Sequence, residues 1–196
     1  EGVYLEPLSF TKVVDSKGEV ILDAEEIRDK RQVFKASTSY VMTEMLEEVV
    51  NSGTGTRANF DGMTIAGKTG TNDDNRGLVF AGYTPYYTSC VWIGDEYDHP
   101  IQPSASASSY ATRLWRSYME KIHEGLEDKE IIDKIPEELG LVRRTICSVS
   151  GMLATDTCRA DSGGHTPVSG WYLSETAPTE YCTWHQSGKV CTVSGA

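Results

Sequence analysis

Apolar and polar positions change period several times along the chain, and each change predicts an element. From residue 1 to about 35 the pattern is extended: Phe10-Thr11-Lys12-Val13-Val14 and Glu19-Val20-Ile21-Leu22 flank the turn-forming Asp15-Ser16-Lys17-Gly18, which predicts a β-hairpin. The period then lengthens. Val41, Met42, Met45, Leu46, Val49 and Val50 recur at three and four, predicting a core-facing helix with Ser37 as N-cap and Asn51-Ser52-Gly53 as its stop. After the glycine-rich Ser52-Gly53-Thr54-Gly55-Thr56, three strands are expected over Met63 to Lys68, Gly77 to Tyr83 and Tyr87 to Gly94, the last two antiparallel around Pro85. A second helix opens near Ser109, with Ala111, Leu114, Trp115, Tyr118, Met119 and Ile122 on one stripe whose aromatics should lie against the sheet. Residues 126–144 are mostly charged and carry Pro136 and Gly140; they read as a linker with a short helix, ahead of a cysteine-bearing segment over 145–196.

Composition narrows what such elements can do. The chain has 196 residues, 39% hydrophobic and 24% charged, enough for one folded domain, or part of one plus a small module, and too few for a large multidomain machine. Acidic residues outnumber basic ones 29 to 18, and the net charge of -11 would repel a polyphosphate backbone, which excludes nucleic acid as a partner. No stretch approaches the ~18 apolar residues of a membrane span. Glu-Gly-Val-Tyr-Leu-Glu also lacks the features of a secretory leader, so any localising segment is expected to be absent or to lie upstream of Glu1.

The cysteines divide into two groups. Cys90, in Thr88-Ser89-Cys90-Val91-Trp92-Ile93, reads as a small buried hydrophobe. Cys147, Cys158, Cys182 and Cys191 fall in a Ser-, Thr- and Gly-rich stretch with little core-forming material, the pattern of a disulfide-stapled extracytoplasmic module. Zinc competes with that reading, because Cys182-Thr183-Trp184-His185 has Cys-x-x-His spacing and His165 is nearby. Zinc ligands usually come in closely spaced pairs, however, and Cys147 and Cys158 are not one, so disulfides are preferred and no metal is assigned. An internal echo, Cys147-Ser148-Val149-Ser150-Gly151 and Cys191-Thr192-Val193-Ser194-Gly195, favours Cys147 with Cys191 and Cys158 with Cys182 among the three connectivities. The second copy ends as it starts, which reads as a cut at Ala196.

Gly62-Met63-Thr64-Ile65-Ala66-Gly67-Lys68-Thr69 satisfies the pattern of a phosphate-binding loop. Its context argues otherwise: the supposed loop interior is an apolar strand-like run, and the supposed helix, Gly70-Thr71-Asn72-Asp73-Asp74-Asn75, is a turn that would set two carboxylates beside the phosphates. The alternative is Lys68-Thr69-Gly70-Thr71 on a strand edge, presenting an ammonium, a hydroxyl, a glycine that admits close approach to the backbone, and an amide able to donate to an oxyanion. That set suits a substrate with a carboxylate and a carbonyl to be attacked. Ser9-Phe10-Thr11-Lys12 has S-x-x-K spacing, but in an extended segment residues three apart point to opposite faces, so Ser9 is rejected as a nucleophile.

The wider sequence resembles the penicillin-binding proteins, specifically the transpeptidase domain of bifunctional class A members. The segments that carry the resemblance run in order from about Gly2 to Lys121: Gly2-Val3-Tyr4 with Glu6-Pro7, Val14-Asp15-Ser16-Lys17-Gly18, Met45-Leu46, Val50-Asn51-Ser52-Gly53-Thr54-Gly55-Thr56, Ala66-Gly67-Lys68-Thr69-Gly70-Thr71, Gly82-Tyr83-Thr84-Pro85 and Val91-Trp92-Ile93-Gly94. Gly151-Met152-Leu153-Ala154, Pro178-Thr179-Glu180-Tyr181-Cys182 and His185 look like the C-terminal extension of some Gram-positive members. The resemblance implies an α+β fold, part of the serine β-lactamase and penicillin-binding transpeptidase fold, an antiparallel sheet flanked by helices. Residues 1–125 would be the C-terminal half of that domain, 126–144 a charged linker, and 145–196 a β-rich, stapled, truncated extension.

It also implies serine acyl-enzyme chemistry on the D-Ala-D-Ala end of peptidoglycan stem peptides, with β-lactams as mimics and no cofactor. Of the three family motifs, S-x-x-K, S-x-N and K-[ST]-G, only the last stands at its expected place, and S-x-N occurs nowhere in the chain. By resemblance, Lys68 would contribute charge and a hydrogen bond to the S-x-N serine, Thr69 and Thr71 would bind the substrate carboxylate across Gly70, and the Thr71 amide would be an oxyanion donor. An N-terminal part of the same domain would be the partner supplying the nucleophile, so these residues by themselves are expected to be inactive. The expected location is the outer face of the bacterial cytoplasmic membrane, with the anchor outside this chain. Two other functions compete: a non-catalytic module that binds cell wall or a partner, and a related β-lactamase or D,D-carboxypeptidase. His99 and His123 show no partner in the sequence, and Asp73 and Asp74 read as a solvated turn.

Overall fold

The computed structural model describes residues 2–102 and 104–186. The chain divides into two compact units, Glu1–Asp133 and Lys134–Ala196. The first opens with two small antiparallel ribbons. Strand β1 (Val3–Leu5) pairs with β4 (Lys30–Gln32), and between them lie β2 (Lys12–Val14), β3 (Val20–Asp23) and the one-turn helix α1 (Ala24–Ile27). The β2–β3 turn is the expected hairpin: the Asp15 carboxylate accepts from the amides of Lys17 and Glu19, and Gly18 takes a φ of 88°, open to glycine.

Helix α2 (Ala36–Asn51) starts two residues earlier than its hydroxyls suggest. Lys35 holds the N-cap position without a side-chain bond, while Ser37 is buried inside the helix. Its apolar stripe is not the core face. Met42 and Met45 are 51% and 60% exposed, whereas Ser37, Thr43 and Val50 are buried. Thr43 turns its hydroxyl to the Tyr83 phenol at 3.1 Å, so the sheet-facing side of this helix is small and partly polar.

The sheet of this unit has the order β5 (Ala66–Thr71), β6 (Gly77–Tyr83), β7 (Thr88–Gly94), all antiparallel. Helix α3 (Ala111–Ile122) packs on one face: Trp115 is fully buried, meets Phe80 edge-on with centroids 5.2 Å apart, and donates its indole N–H to the Ser89 carbonyl. Gly67 and Gly82 make room for that pair, since a Cβ on either would lie within 3 Å of Phe80. Phe60, Met63, Ile65, Leu78, Val91 and Met119 complete the core. Cys90, expected to be buried, is exposed on edge strand β7. His123 does find partners: buried at the end of α3, it bonds the Thr84 hydroxyl at 2.8 Å and the Met119 carbonyl at 2.7 Å.

In the second unit, β8 (Leu141–Ile146) pairs antiparallel with β9 (Val168–Leu173) along the full length of both, and the single turn α4 (Asp156–Arg159) lies between them in sequence. Strand β8 thus opens within the stretch read as linker. The expected disulfide staple is not supported among the described residues: Cys147, Cys158 and Cys182 are free thiols gathered into one buried cluster, and Cys191, the expected partner of Cys147, lies outside the described residues.

Candidate functional site

Lys68, Thr69, Gly70 and Thr71 all lie on β5, the sheet edge of the first unit. The strand begins three residues later than its apolar run suggested and continues through Thr71, so the Gly67-Lys68-Thr69 stretch is extended backbone and not the bend of a phosphate-binding loop. Register sorts the side chains. Lys68 and Gly70 lie across from Ala81 and Val79, while Thr69 and Thr71 lie across from Phe80 and Leu78, the face that covers the core.

Two loops hold the threonine pair. The Thr54 and Thr69 hydroxyls meet at 2.6 Å, and the Ala107 amide donates to the Thr71 hydroxyl at 3.3 Å. Thr54 is positioned by its flanking glycines, whose amides cap α2: Gly53 donates to the Glu48 carbonyl and Gly55 to that of Val49. A Cβ at either glycine would stand 2.9 to 3.0 Å from Val49 backbone atoms, so only glycine lets the loop fold back this tightly. Lys68 is exposed and donates to its neighbour's Thr69 carbonyl at 2.8 Å.

Gly70 differs from the other glycines of its own sheet, Gly67, Gly77, Gly82 and Gly94. A Cβ there would meet only Val79, at an ordinary 3.7 Å, and its φ is not positive, so neither packing nor backbone geometry calls for glycine. What it leaves free is the exposed face of the strand that it shares with Lys68, where a ligand backbone can approach. Ser9 and Lys12, the other motif pair, do not meet: Lys12 is salt-bridged to Asp23 at 3.0 Å.

The second unit holds a different constellation. Leu153 bridges to both Ile146 and Tyr181, which brings the residues that follow those two, Cys147 and Cys182, side by side. The turn that returns the chain from Cys147 to Met152 uses Gly151 at a φ of 72°. Cys158 joins from α4, and His185 completes the group, its Nδ1 lying 3.4 Å from the Cys147 Sγ and 3.6 Å from that of Cys182. The four ligand atoms lie within 4.8 Å of one another. Hydrogen bonds from Ser150 and the His185 amide, against the cost of burial, lower the Cys182 thiol to about 5; the neighbouring Cys182 raises His185. Of the expected pairings, Cys158 with Cys182 is not made. The signal for this group was present as Cys-x-x-His at 182–185, but Cys147 and Cys158 contribute one ligand each from separate turns, a spacing no motif encodes.

An antiparallel sheet with a helix on its face and a Lys-Thr-Gly edge strand defines the penicillin-binding transpeptidase class. The family model described as the penicillin binding protein transpeptidase domain matches residues 1–120, and that of the penicillin-binding protein 1A C-terminal domain matches 138–187; the chain belongs to the penicillin-binding transpeptidase family and carries the C-terminal extension of its class A members. It is 34% identical over 184 residues to penicillin-binding protein 1A of Clostridium perfringens, covering 94% of this chain and 21% of that protein. The corresponding protein of Clostridium botulinum is 33% identical over 195 residues, covering 99% and 23%. The fold resembles a crystal structure of penicillin-binding protein 1A from Haemophilus influenzae, with a TM-score of 0.67 and 15% identity over 92% of this chain and 31% of that one. The chain therefore spans about a fifth of the length of the curated relatives it matches.

Proposed function

We propose that residues 1–125 are the Lys-Thr-Gly half of a serine D,D-transpeptidase domain that cross-links peptidoglycan, with 126–144 joining it to the extension. The observation that carries this reading is β5: an exposed edge strand on which Lys68 and the Thr69 and Thr71 hydroxyls surround a glycine that the fold does not require. In this role Lys68 supplies positive charge and a hydrogen bond to a serine of the S-x-N motif, Thr69 and Thr71 bind the terminal carboxylate of a D-Ala-D-Ala stem peptide or of a β-lactam, and the Thr71 amide donates to the oxyanion of the tetrahedral intermediate. The attacking serine and the S-x-N motif come from sequence outside these 196 residues.

The apolar surface of the first unit supports such a partner. Val14, Val20, Ile21, Phe34, Met42 and Met45 are all exposed, and the remaining part of the same domain would cover some of these side chains. The site would work at the outer face of the cytoplasmic membrane, where peptidoglycan is assembled, held there by an anchor outside these residues.

Fluorescent penicillin tests the reading. The 196-residue chain should take up no covalent label, whereas the longer protein that includes the S-x-x-K and S-x-N motifs should be labelled at the S-x-x-K serine. Label mapped to Ser9 or any other residue of this chain would show that the nucleophile has been assigned to the wrong place.

A further inference from the structure

We propose that Cys147, Cys158, Cys182 and His185 form a structural zinc site that holds the second unit together. Zinc in such sites takes four ligands in a tetrahedron, at about 2.3 Å to sulfur and about 2.0–2.1 Å to nitrogen. Those bond lengths put ligand atoms about 3.8 Å apart for two sulfurs and about 3.5 Å for sulfur and nitrogen. The distances from the His185 Nδ1 to the Cys147 and Cys182 sulfurs are 3.4 and 3.6 Å, and all four donor atoms fall within 4.8 Å of one another. The donors are also withdrawn from water: Cys147 and Cys158 are 1% exposed, Cys182 7%, and the His185 side chain 11%.

The surroundings are those of a metal-binding set. The other nitrogen of His185, Nε2, lies 3.7 Å from the Asp161 carboxylate, an ion-pair distance that places a carboxylate on the side of the ring away from the sulfurs, where a metal-bound histidine commonly has one. Asp161 is itself held in place by the Gly163 amide at 3.1 Å and by His165 at 2.8 Å. The sulfurs receive donors in turn: the Ser150 amide points to Cys147, and the Thr155 amide and hydroxyl point to Cys158. Binding would take the three cysteines as thiolates and His185 as neutral imidazole, releasing to solvent whatever protons these groups still carry, and would form three Zn–S bonds and one Zn–N bond, with no oxidant or reductant required. Three thiolates leave the centre with one net negative charge, which those donors offset.

The test uses the full 196-residue chain, purified reduced and without added metal, with zinc read by elemental analysis and cobalt(II) used as a spectroscopic replacement. The expected result is one zinc per chain, and after exchange the intense visible bands and sulfur-to-cobalt charge transfer of a tetrahedral thiolate site. Cys158→Ser and His185→Ala should lose the metal. His185→Cys should keep it with stronger charge transfer, and Cys90→Ser and Cys191→Ser should keep it unchanged. Asp161→Asn should weaken zinc binding roughly 10–100-fold against a competing chelator while leaving the stoichiometry intact. A chain without zinc whose mass lies two daltons or more below the reduced value, cobalt bands of a six-coordinate site, retention of zinc by Cys158→Ser, or loss of zinc from Cys191→Ser would each overturn the assignment.

Discussion

The Lys68 strand and the Cys147 cluster are held in place by different physics. In the first unit thirteen buried residues, led by Trp115, Phe80 and Leu78, form an apolar core, and Lys68, Thr69 and Thr71 sit on the rim of the sheet that this core supports. In the second, among the described residues, the buried cluster is Cys147, Cys158 and Cys182, with Met152 and Ala154 packed against it. Units this small bury little apolar surface, and many of them add a staple. The contrast is between side chains carried on the rim of an apolar core and polar side chains gathered where a core would otherwise be.

The sharpest way to test the first half of that contrast is Trp115→Ala. Removing a fully buried indole that packs on Phe80 should cost about 3–5 kcal/mol, read as a lower urea midpoint. A loss below about 1 kcal/mol would mean that the sheet is not held by this helix. Lys68→Ala should do the opposite. Stability should stay within about 0.5 kcal/mol, because the side chain is exposed and bonded only to the adjacent Thr69 carbonyl, while acylation of the longer, nucleophile-bearing protein by penicillin should fall about 10²–10³-fold.

The glycines separate scaffold from site at smaller cost. Gly55→Ala would push a Cβ to 3.0 Å from the Val49 carbonyl and should destabilise by about 1–3 kcal/mol, loosening Thr54 from Thr69. Gly70→Ala meets only Val79 at 3.7 Å and should leave stability unchanged or raise it by about 0.4–1 kcal/mol, yet slow penicillin acylation. Equal stability losses in the two variants, measured by denaturant titration, would remove the case for Gly70 as a ligand-facing position.

Local patterns were legible in the sequence and contextual ones were not. The hairpin at Asp15–Gly18 and strand β6 follow from turn chemistry and alternation, which act over a few residues. The edge position of Lys68 followed from rejecting the phosphate-loop reading on its apolar interior. By contrast, the stripe of Met42 and Met45 reads as core because periodicity reports that a face is apolar, not what covers it. Cys90 misled for the same reason, since β7 is an edge strand. The Cys147, Cys158, Cys182 and His185 group was invisible as a set because Leu153 pairs with two separate segments to assemble it, and no linear spacing records that.

The smallest expected effect lies on α2 and concerns charge. Burial, reinforced by the nearby Glu44, Glu130 and Asp128 carboxylates, raises Glu47 from 4.5 to about 7. The folded state then keeps a proton that the unfolded chain releases between those values, so stability should fall as pH climbs from about 4.5 to about 7, and the penalty is complete above that. Glu47→Gln removes the titrating group. Since Glu47 is only half-buried, solvent screening trims the gain, and the variant should be more stable than the parent by about 1 kcal/mol at pH near 8 and equal to it at pH near 4. Thermal midpoints across that range would show the two curves converging on acidification. Parallel curves would mean that Glu47 is ionised in the folded chain and that this face of α2 is well solvated. Convergence would instead show that part of α2's outer surface is already dry enough to hold a neutral carboxyl, as a face prepared for further protein would be.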